Sequence, residues 1–447
     1  MKQERSDLLF LLVCLVLAAA LSLGMLFFGP AEAKANELLT SRPVLHGDQG
    51  WNGHYLTELS DYVSDRFFLR QELVTAHNRL LAALGGGEAA DVIAGRDGWL
   101  YYAATLDDYT GAGALSEAEL SAAAQNLALM REYCESRGAA FLFVPAPNKN
   151  SLYDTAMPSY GVKAAEHAAQ RLLRLASDAG VPCADLFTAF KARGETLYFA
   201  HDSHWNAKGA ALAADEINAA LGRQSAYFSA DFSARTPHSG DLYEMRYPAG
   251  RDPETDFVYG GGLEFAREGS DTRPDSITIN TSSDGDGTLL MFRDSFGNAL
   301  YPYLADSFAA ARFSRATSYN LNLADKLGAD AVVVELVERN LRYLLRFTPV
   351  MPAPARDLNV PEAVSGTVAL TCPEAVPALD GHILWRGTLP ADAPADAVCL
   401  CCGSRAFAAF LGGDGSFSCY LPAELTPDRV AAARGASLSA YQTVNPQ

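Results

Sequence analysis

Three short apolar runs, each too short to form a helix of its own, constrain the fold of this chain most strongly. They are AAFLFVPAP at 139–147, TLLMF at 288–292 and ADAVVVELV at 329–337. Short runs that are almost entirely apolar are typical of strands that are buried on both faces, as in parallel sheets. Helical patterns cover residues 116–137, directly before the first of these runs, and residues 164–179, after it. This alternation predicts an α/β fold, with helices on both faces of a parallel sheet.

A proline-rich stretch divides the chain near residue 350. TPVMPAPARDLNVPEA, at 348–363, has the composition of a linker, and short strands and turns follow it, with GGDGSF at 412–417 as the clearest turn. We expect residues 351–447 to form a small β-rich module. Five of the eight cysteines lie in this part, which favours one or two disulfides there: Cys372, Cys399, Cys401, Cys402 and Cys419.

The first thirty residues have the pattern of a membrane anchor. Residues 8–28 contain no charge and are about long enough to cross a bilayer as a helix. Lys2 and Arg5 favour a cytoplasmic N-terminus. We therefore predict a single-pass anchor in the cell membrane at 1–30, with an extracytoplasmic catalytic domain at 31–350. AEA at 31–33 leaves a cleaved signal peptide as the alternative.

The charge balance excludes one class of partner. The chain has 35 lysines and arginines against 53 aspartates and glutamates, a formal net charge of −18. A body this acidic repels phosphate backbones, so we expect no nucleic-acid partner.

A first candidate for chemistry is MFRDSFGNAL at 291–300. The strand signal ends at Phe292, a polar turn contains Arg293, Asp294 and Ser295, and a helix follows. Ser295 would lie at the carboxyl end of a sheet strand, where open α/β sheets bind ligands, and amides at the helix start can stabilise an oxyanion. The alternative is that Asp294 and Ser295 only cap the helix.

A second candidate is AHDSHWN at 200–206. A serine nucleophile needs a histidine base, and the histidine needs a carboxylate that fixes its tautomer. In an extended run, Asp202 and His204 would share one face, and Asn206 can cap the helix that follows. A capped loop with a solvated histidine is the alternative. Zinc or iron bound by His201, Asp202 and His204 is another, but the other six histidines are scattered singly, and we expect no metal.

Both segments resemble those of a known group of proteins. LYFAHDSHWNAKGA resembles the Asp-x-His-Trp signature of the DHHW family and of periplasmic alginate O-acetyltransferases with an SGNH-hydrolase-like domain, and FRDSFGNALYPYLADSF resembles their nucleophile segment. YVSDRFFLRQEL, GRDGWLYY, VPAPNKNSLY and SGDLYEM resemble further stretches of the group. The resemblance extends over residues 59–339 and implies an SGNH-hydrolase-like (flavodoxin-like) fold.

The resemblance also implies residue roles. Ser295 would be the nucleophile, His204 the general base and acid, and Asp202 the orienting carboxylate. Ser203 stands where DHHW members have a histidine.

Weaker candidates surround these three residues. Asn148 or Lys149, in the loop after a predicted strand, is a candidate second oxyanion donor beside the Ser295 amide. Arg293 and Asn298 are candidates near the cleft. Trp205 is a candidate sugar-facing wall, although packing under the loop is the favoured explanation.

The function implied is O-acetyl transfer to hydroxyls of a cell-surface glycan or exopolysaccharide through an acyl-serine, with no cofactor. Acetyl donors are cytoplasmic, so an extracytoplasmic transferase would need a multi-pass membrane-bound O-acyltransferase as its acetyl-supplying partner. A carbohydrate acetyl esterase and an inactive glycan-binding assembly protein remain the alternatives.

Overall fold

The computed structural model describes residues 2–29, 39–47, 50–89, 91–356, 370–371, 374–375, 378–390 and 395–433. Its helices are α1 (Lys2–Phe28), α2 (Tyr55–Arg66), α3 (Arg70–Ala83), α4 (Leu106–Thr110), α5 (Glu117–Ser136), α6 (Lys149–Leu152), α7 (Ala168–Asp178), α8 (Leu186–Lys191), α9 (Ala207–Ala220), α10 (Asp241–Arg246), α11 (Gly297–Ser307), α12 (Asn322–Leu327) and α13 (Tyr343–Arg346). Short 3₁₀ turns cover Ala103–Thr105, Asp154–Ala156 and Glu338–Asn340.

The strands are β1 (His46–Gly47), β2 (Gly50–Trp51), β3 (Glu88–Ala89), β4 (Val92–Ala94), β5 (Leu100–Tyr102), β6 (Ala140–Ala146), β7 (Phe232–His238), β8 (Glu254–Tyr259), β9 (Phe265–Arg267), β10 (Thr278–Ser283), β11 (Thr288–Phe292), β12 (Ala310–Ser314), β13 (Ala331–Val337), β14 (Ala355–Arg356), β15 (Glu374–Ala375), β16 (His382–Thr388), β17 (Ala397–Cys402), β18 (Arg405–Ala408), β19 (Phe410–Leu411), β20 (Ser416–Pro422) and β21 (Arg429–Ala433).

The central sheet has six strands in the order β6-β13-β11-β12-β10-β9. The three predicted apolar runs form β6, β13 and β11, which are parallel to one another and to β12. β10 is antiparallel to β12, and β9 is antiparallel to β10. The prediction of a parallel sheet is therefore wrong at one edge, and the sheet is mixed. β10, which lies between β12 and the edge strand β9, reads TINTSS and alternates between buried and more exposed positions, which suits an antiparallel strand with one solvated face.

Helices cover both faces of the sheet, as predicted. Phe141 and Phe143 of β6 point into a core that includes side chains of α5 and α7, and Leu142 and Val144 point into a second core with α9 and α11. The start of α5 is fixed by a capping box at Ser116. This arrangement is an α/β sheet buried on both sides, with its carboxyl edge free to hold a site.

The described residues of the C-terminal part form two four-stranded sheets, with orders β14-β18-β17-β21 and β15-β16-β20-β19. They pack directly on α5. The Asn126 amide nitrogen donates to the carbonyls of Leu344 and Leu411, at 2.8 Å each, and its oxygen accepts from the Leu411 amide at 2.9 Å. Arg356 also forms an ion pair with Glu132 at 2.6 Å.

Residues 348–356, the described part of the predicted linker, pack against the rest of the protein. Val350 and Met351 are buried, and β14 lies within the C-terminal sheet. Residues 348–356 therefore do not behave as a flexible connection, because apolar side chains stand between the prolines. The rest of the predicted linker, 357–363, lies outside the described residues.

The described cysteines of this part are free thiols, and three of the four are buried. Cys399, Cys401, Cys402 and Cys419 are free, and Cys372 lies outside the described residues. The predicted disulfides are therefore not formed among the described cysteines. Cys399, Cys401 and Cys419 lie in apolar clusters, where cysteine serves as a small hydrophobic residue.

Among the described residues, no helix is both long enough and apolar enough to cross a membrane. Several side chains of the predicted span 8–28 lie outside those described. The N-terminal anchor stays a prediction.

Candidate active site

Asp202 and His204 lie in a short closed loop. Tyr198 and Trp205 form an antiparallel bridge at its base, and the Asn206 amide donates to the Leu197 carbonyl at 2.9 Å. α9 begins directly afterwards, and the Asn206 side chain accepts from the Gly209 amide at 3.1 Å, which confirms the predicted cap. The loop is therefore tied at both ends by backbone contacts.

Two side chains hold the inside of this loop, one from the buried Lys149 and one from the half-buried Glu254. The Lys149 ammonium donates to the carbonyls of Phe199, Ala200 and Asp202, at 3.2, 3.0 and 2.6 Å. Glu254 accepts from the amides of Ala200 and His201, at 2.6 Å each. These contacts fix the backbone on which the two candidate catalytic side chains stand.

The predicted oxyanion role of Lys149 does not fit this position. Burial lowers the pKa of Lys149 to about 8, against the opposing charges of nearby carboxylates that include Asp202. Its three ammonium hydrogens already match the three loop carbonyls. Lys149 is thus a brace beneath the loop rather than a donor in the cleft.

The structure brings the three predicted side chains together. His204 Nε2 lies 2.8 Å from Ser295 Oγ, and His204 Nδ1 lies 2.7 Å from Asp202 Oδ1. The ionised Asp202 only accepts hydrogen bonds, so His204 carries its proton on Nδ1, and Nε2 is left to accept from the Ser295 hydroxyl. The loop is not extended as expected. Asp202 Oδ1 also accepts from the His204 amide at 2.9 Å, and this local turn brings the two side chains together.

Ser295 is free for His204 because Asp294 holds the turn. Asp294 Oδ1 accepts from the Phe296 amide at 2.9 Å, and its Oδ2 accepts from the Val337 amide at 2.8 Å and from the Asn340 side chain at 3.2 Å. The helix cap that was the alternative for both residues does not form, because α11 has no side-chain cap hydrogen bond, and Asp294 stabilises the turn before the helix instead. Ser295 lies past the end of β11 and just before α11, as the strand–turn–helix pattern predicted.

Asp202 accepts further hydrogen bonds on its second oxygen. Its Oδ2 accepts from His238 Nε2 at 2.8 Å and from the Asp241 amide at 3.1 Å. Gly240 makes this approach possible, because a Cβ there would lie 2.3 Å from the His201 carbonyl oxygen. With the two contacts from His204, four donors converge on one carboxylate.

The electrostatics follow from this convergence. Burial alone would raise the pKa of Asp202, but His204 and His238 outweigh it and hold the pKa well below its usual range. Burial alone would lower the pKa of His204, yet the charge and hydrogen bond of Asp202 raise it above the ordinary value. Burial and the charge of Asp202 raise the pKa of Asp241.

Two clefts meet at Ser295 and His204. The larger has a volume of about 730 Å³ and an aromatic wall that includes Phe257, Tyr259 and Tyr303. The smaller, of about 280 Å³, is lined by Tyr102, Ala104, Ser203, His204, Asp241, Ser295, Arg339 and Asn340. The hydroxyl therefore has access to two compartments of different size and chemistry.

The weaker candidates occupy varied positions. Asn298 lines the larger cleft. Arg293 is buried and donates to the carbonyls of Asp294, Pro274 and Ser276 and to Asn298 Oδ1, so it braces the turn. Asn148 is buried and lines neither cleft, and its backbone N–H donates to Glu338 Oε2 at 2.9 Å.

Trp205 is 1% exposed and packs against Phe190, Tyr198 and Phe296, which makes it a support under the loop. The metal set considered from the sequence does not form, because His201 Nδ1 contacts the Asp252 carbonyl at 3.1 Å. Ligand atoms of Asp202, His204 and Asp241 do lie within 4.8 Å of one another. The hydrogen bonds of Asp202 and His204 within the site already account for that grouping.

Sequence reasoning missed His238, Asp241 and Arg339 as members of the site. Arg339 lies over the rings of Tyr102 and Phe296, at 5.5 and 5.4 Å. One signal was available for Asp241, because it stands in SGDLYEM, one of the stretches that carry the resemblance.

Comparison with known proteins finds a match to one family model. Residues 92–254 match the family model of the SGNH hydrolase-like domain of acetyltransferase AlgX. The predicted resemblance is confirmed. The matched range contains Asp202, His204, His238 and Asp241 and ends before Ser295. No curated protein matches the chain.

The solved structures to which this chain is similar include three from different bacteria. A DHHW family protein from Eubacterium siraeum has 15% identity and a TM-score of 0.45, with 59% of this chain and 97% of that chain covered. PatB1 from Bacillus cereus has 17% identity and a TM-score of 0.45, with coverage of 56% and 95%. AlgX from Pseudomonas aeruginosa has 13% identity and a TM-score of 0.38, with coverage of 76% and 90%.

Proposed function

We propose that this protein is a serine-dependent O-acetyltransferase that acts on hydroxyl groups of a cell-surface glycan or exopolysaccharide. The observation that carries the proposal is the hydrogen-bonded chain from Ser295 Oγ through His204 to Asp202, with contacts of 2.8 and 2.7 Å. The family model that matches residues 92–254 describes an acetyltransferase domain and supports the same reaction class.

In the first half-reaction, Ser295 Oγ attacks the carbonyl carbon of an acetyl ester. His204 Nε2 takes the hydroxyl proton, and Asp202 stabilises the imidazolium that forms. Collapse of the tetrahedral intermediate expels the donor alcohol, which receives the proton from His204. The product is an acetyl ester on Ser295 with a neutral His204.

In the second half-reaction, a sugar hydroxyl attacks the acetyl-serine. His204 Nε2 takes the proton from that hydroxyl and returns it to Ser295 Oγ as the new ester leaves. The Ser295 amide has no hydrogen-bond partner among the described residues, so it is available to the oxyanion in both steps. Arg339, which lines the smaller cleft beside Ser295, offers a positive charge that can also stabilise the oxyanion.

The larger cleft suits the glycan acceptor. Aromatic rings such as Tyr259 and Tyr303 offer apolar faces to a sugar ring, and polar side chains at the rim can bind hydroxyls. Asp241, Asp256 and Asp275 line it with Arg315. This acidic lining, on a chain of net charge −18, favours a neutral glycan over a polyanionic one.

An esterase is the second candidate, because solvent reaches the base. The His204 side chain is 24% exposed beside the larger cleft, so water can take the place of the sugar hydroxyl. Membrane anchoring and an acetyl-supplying multi-pass O-acyltransferase belong to the transferase proposal, since a donor made in the cytoplasm must reach an extracytoplasmic site.

The test uses the full-length protein, an activated acetyl ester such as p-nitrophenyl acetate, and intact-protein mass spectrometry. An acetyl-enzyme adds about 42 Da. We expect this adduct in the wild type and in the exposed control Ser318→Ala, and its absence in Ser295→Ala. An adduct of equal yield in Ser295→Ala contradicts the proposal.

The acceptor decides between transferase and esterase. Transfer of the acetyl group from the enzyme to added neutral oligosaccharide supports the transferase. Release of acetate at the same rate with and without oligosaccharide supports the esterase. Oligosaccharide binding without any acetyl-enzyme identifies an inactive glycan-binding protein.

A further inference from the structure

A second buried group of ionisable side chains lies close to the Ser295 site and takes no part in the proposed reaction. It joins Asp108 of α4, His167 directly before α7, and Glu338 in the turn after β13. Glu338 adjoins Arg339, which lines the smaller cleft. Three elements that are distant in sequence thus deliver one imidazole and two carboxylates to one point.

The facing atoms of this group have no hydrogen-bond partners. Asp108 Oδ2, His167 Nδ1 and Glu338 Oε1 are buried and unpartnered among the described residues. His167 Nδ1 lies 3.5 Å from Asp108 Oδ2 and 3.8 Å from Glu338 Oε1, which is beyond hydrogen-bond length. The side chains of His167 and Glu338 are only 7% and 0% exposed. Buried polar atoms are rarely left in this state, so the group lacks a partner that would satisfy all three.

The other half of the Glu338 carboxylate is already fixed. Its Oε2 accepts from the backbone N–H of Asn148 at 2.9 Å and from the Ser151 hydroxyl at 2.6 Å. These contacts aim Oε1 at His167 and Asp108. Metal-binding carboxylates are commonly oriented by hydrogen bonds of this kind.

The spacing of the three atoms fits a metal ion. Bonds of about 2.1 Å at a tetrahedral zinc place neighbouring ligand atoms about 3.4 Å apart, close to the separations seen here. Imidazole and carboxylate are ligands that zinc accepts, and the two carboxylates supply the negative charge for a dication. We propose that Asp108 Oδ2, His167 Nδ1 and Glu338 Oε1 bind one zinc ion.

A proton is the competing occupant. Burial raises the pKa of Glu338 well above its usual range, and the charge of Asp108 raises it further. A proton on Glu338 would relieve the repulsion between the two carboxylates but would leave His167 Nδ1 unpartnered. Zinc must displace that proton, so binding releases it. The Asp108 side chain is 15% exposed and provides access from solvent.

The proposed role of the ion is structural. Glu338–Asn340 carries two residues of the smaller cleft, and Asn340 also holds Asp294 in the Ser295 turn. An ion on Glu338 would fix this turn relative to α4 and α7. The inference does not depend on acetyl transfer, and its test measures metal binding alone.

The experiment titrates zinc into the full-length protein after chelator treatment, using calorimetry with elemental analysis of the dialysed product. We expect one zinc per chain with a Kd below about 1 μM and proton release seen as a buffer-dependent heat. Cobalt in place of zinc should give a visible absorption band. Absence of zinc binding at about 100 μM overturns the proposal and leaves the proton as occupant.

Matched variants locate the site. Asp108→Asn and Glu338→Gln each remove one ligand oxygen, and we expect at least about 100-fold weaker zinc binding in both. Glu338→Gln keeps an oxygen that can accept from Asn148 and Ser151. Asp107→Asn changes the exposed neighbour in the same way and should bind as the wild type. Equal binding by Asp108→Asn, Asp107→Asn and the wild type overturns the assignment even if Glu338→Gln does not fold.

Discussion

Replacement of Asp202 by asparagine tests the centre of the proposed mechanism. Four donors converge on this carboxylate, two on each oxygen, and on each side one donor is a backbone amide: His204 N on Oδ1 and Asp241 N on Oδ2. The NH₂ group of an asparagine must therefore oppose a backbone N–H whichever way the amide turns. The contacts of Oδ2, at 2.8 Å to His238 and 3.1 Å to the Asp241 amide, are longer than those of Oδ1 to His204, at 2.7 and 2.9 Å. His238 can also change its tautomer and accept a hydrogen bond from the new NH₂ group. We expect the NH₂ group on the His238 side.

This orientation leaves the tautomer of His204 intact and removes only the charge that supports its imidazolium. A unit charge about 4 Å from the ring contributes about 4 kcal/mol at an effective dielectric constant of about 20. The expected loss in the rate of acetyl-enzyme formation is then about 10³-fold. An amide turned the other way would lock the wrong tautomer and cost about 10⁴-fold.

The assay is the first-turnover release of p-nitrophenolate from p-nitrophenyl acetate, followed by stopped flow at a pH where His204 is neutral. Asp256→Asn is the matched control, because it neutralises a carboxylate of the same cleft outside the hydrogen-bonded chain. It should stay within about threefold of the wild type. The reasoning is refuted if Asp202→Asn slows the burst less than about tenfold, or if the control slows it equally.

Three further outcomes follow from the same contacts. The acetyl-enzyme rate should rise with pH through an ionisation above the ordinary histidine value of about 6.5, because only neutral His204 accepts a proton and Asp202 raises its pKa; a pH–rate profile with its midpoint at or below that value contradicts this. His238→Ala removes one donor from Asp202 and should slow the burst about tenfold, the equivalent of about 1.5 kcal/mol for a hydrogen bond to a charge, whereas His201→Ala should leave the burst rate unchanged. Lys149→Met leaves three loop carbonyls without their donor and should lower the free energy of unfolding by about 2–3 kcal/mol in urea denaturation, and an unchanged midpoint would show that the brace is not needed.

Part of the fold was predictable because burial leaves a plain pattern in sequence. TLLMF has the same limits as β11, and the other two apolar runs contain β6 and β13. β10 and β12, which read TINTSS and AARFS, lack such runs and were not predicted. Composition also misled at 348–356, because proline content suggested a linker while Val350 and Met351 were available to pack.

The site was predictable only where residue type and chemistry coincide. Ser295, His204 and Asp202 are a recognised combination, and the structure brings them together. The role of Lys149 was not predictable, because its ammonium donates to three backbone carbonyls. Every residue has a backbone carbonyl, so the residue types do not indicate which carbonyls a lysine will contact. His238, at the end of β7, looked like an isolated histidine, because its partner Asp202 lies in a loop that is distant in sequence.

The same reasoning explains how irregular loops can hold a precise geometry. Asp202 accepts two backbone amides, Asp294 accepts two more, and Glu338 accepts one, so each carboxylate fixes a loop by satisfying donors that regular structure would otherwise pair. Each also has a side-chain partner in the site or next to it: His204 for Asp202, Asn340 for Asp294 and Ser151 for Glu338. Removal of one of these carboxyl groups, as in a substitution by alanine, would therefore release backbone and side chain together. For this reason, alanine substitutions at these acids should change the position of Ser295 and His204 as well as local stability.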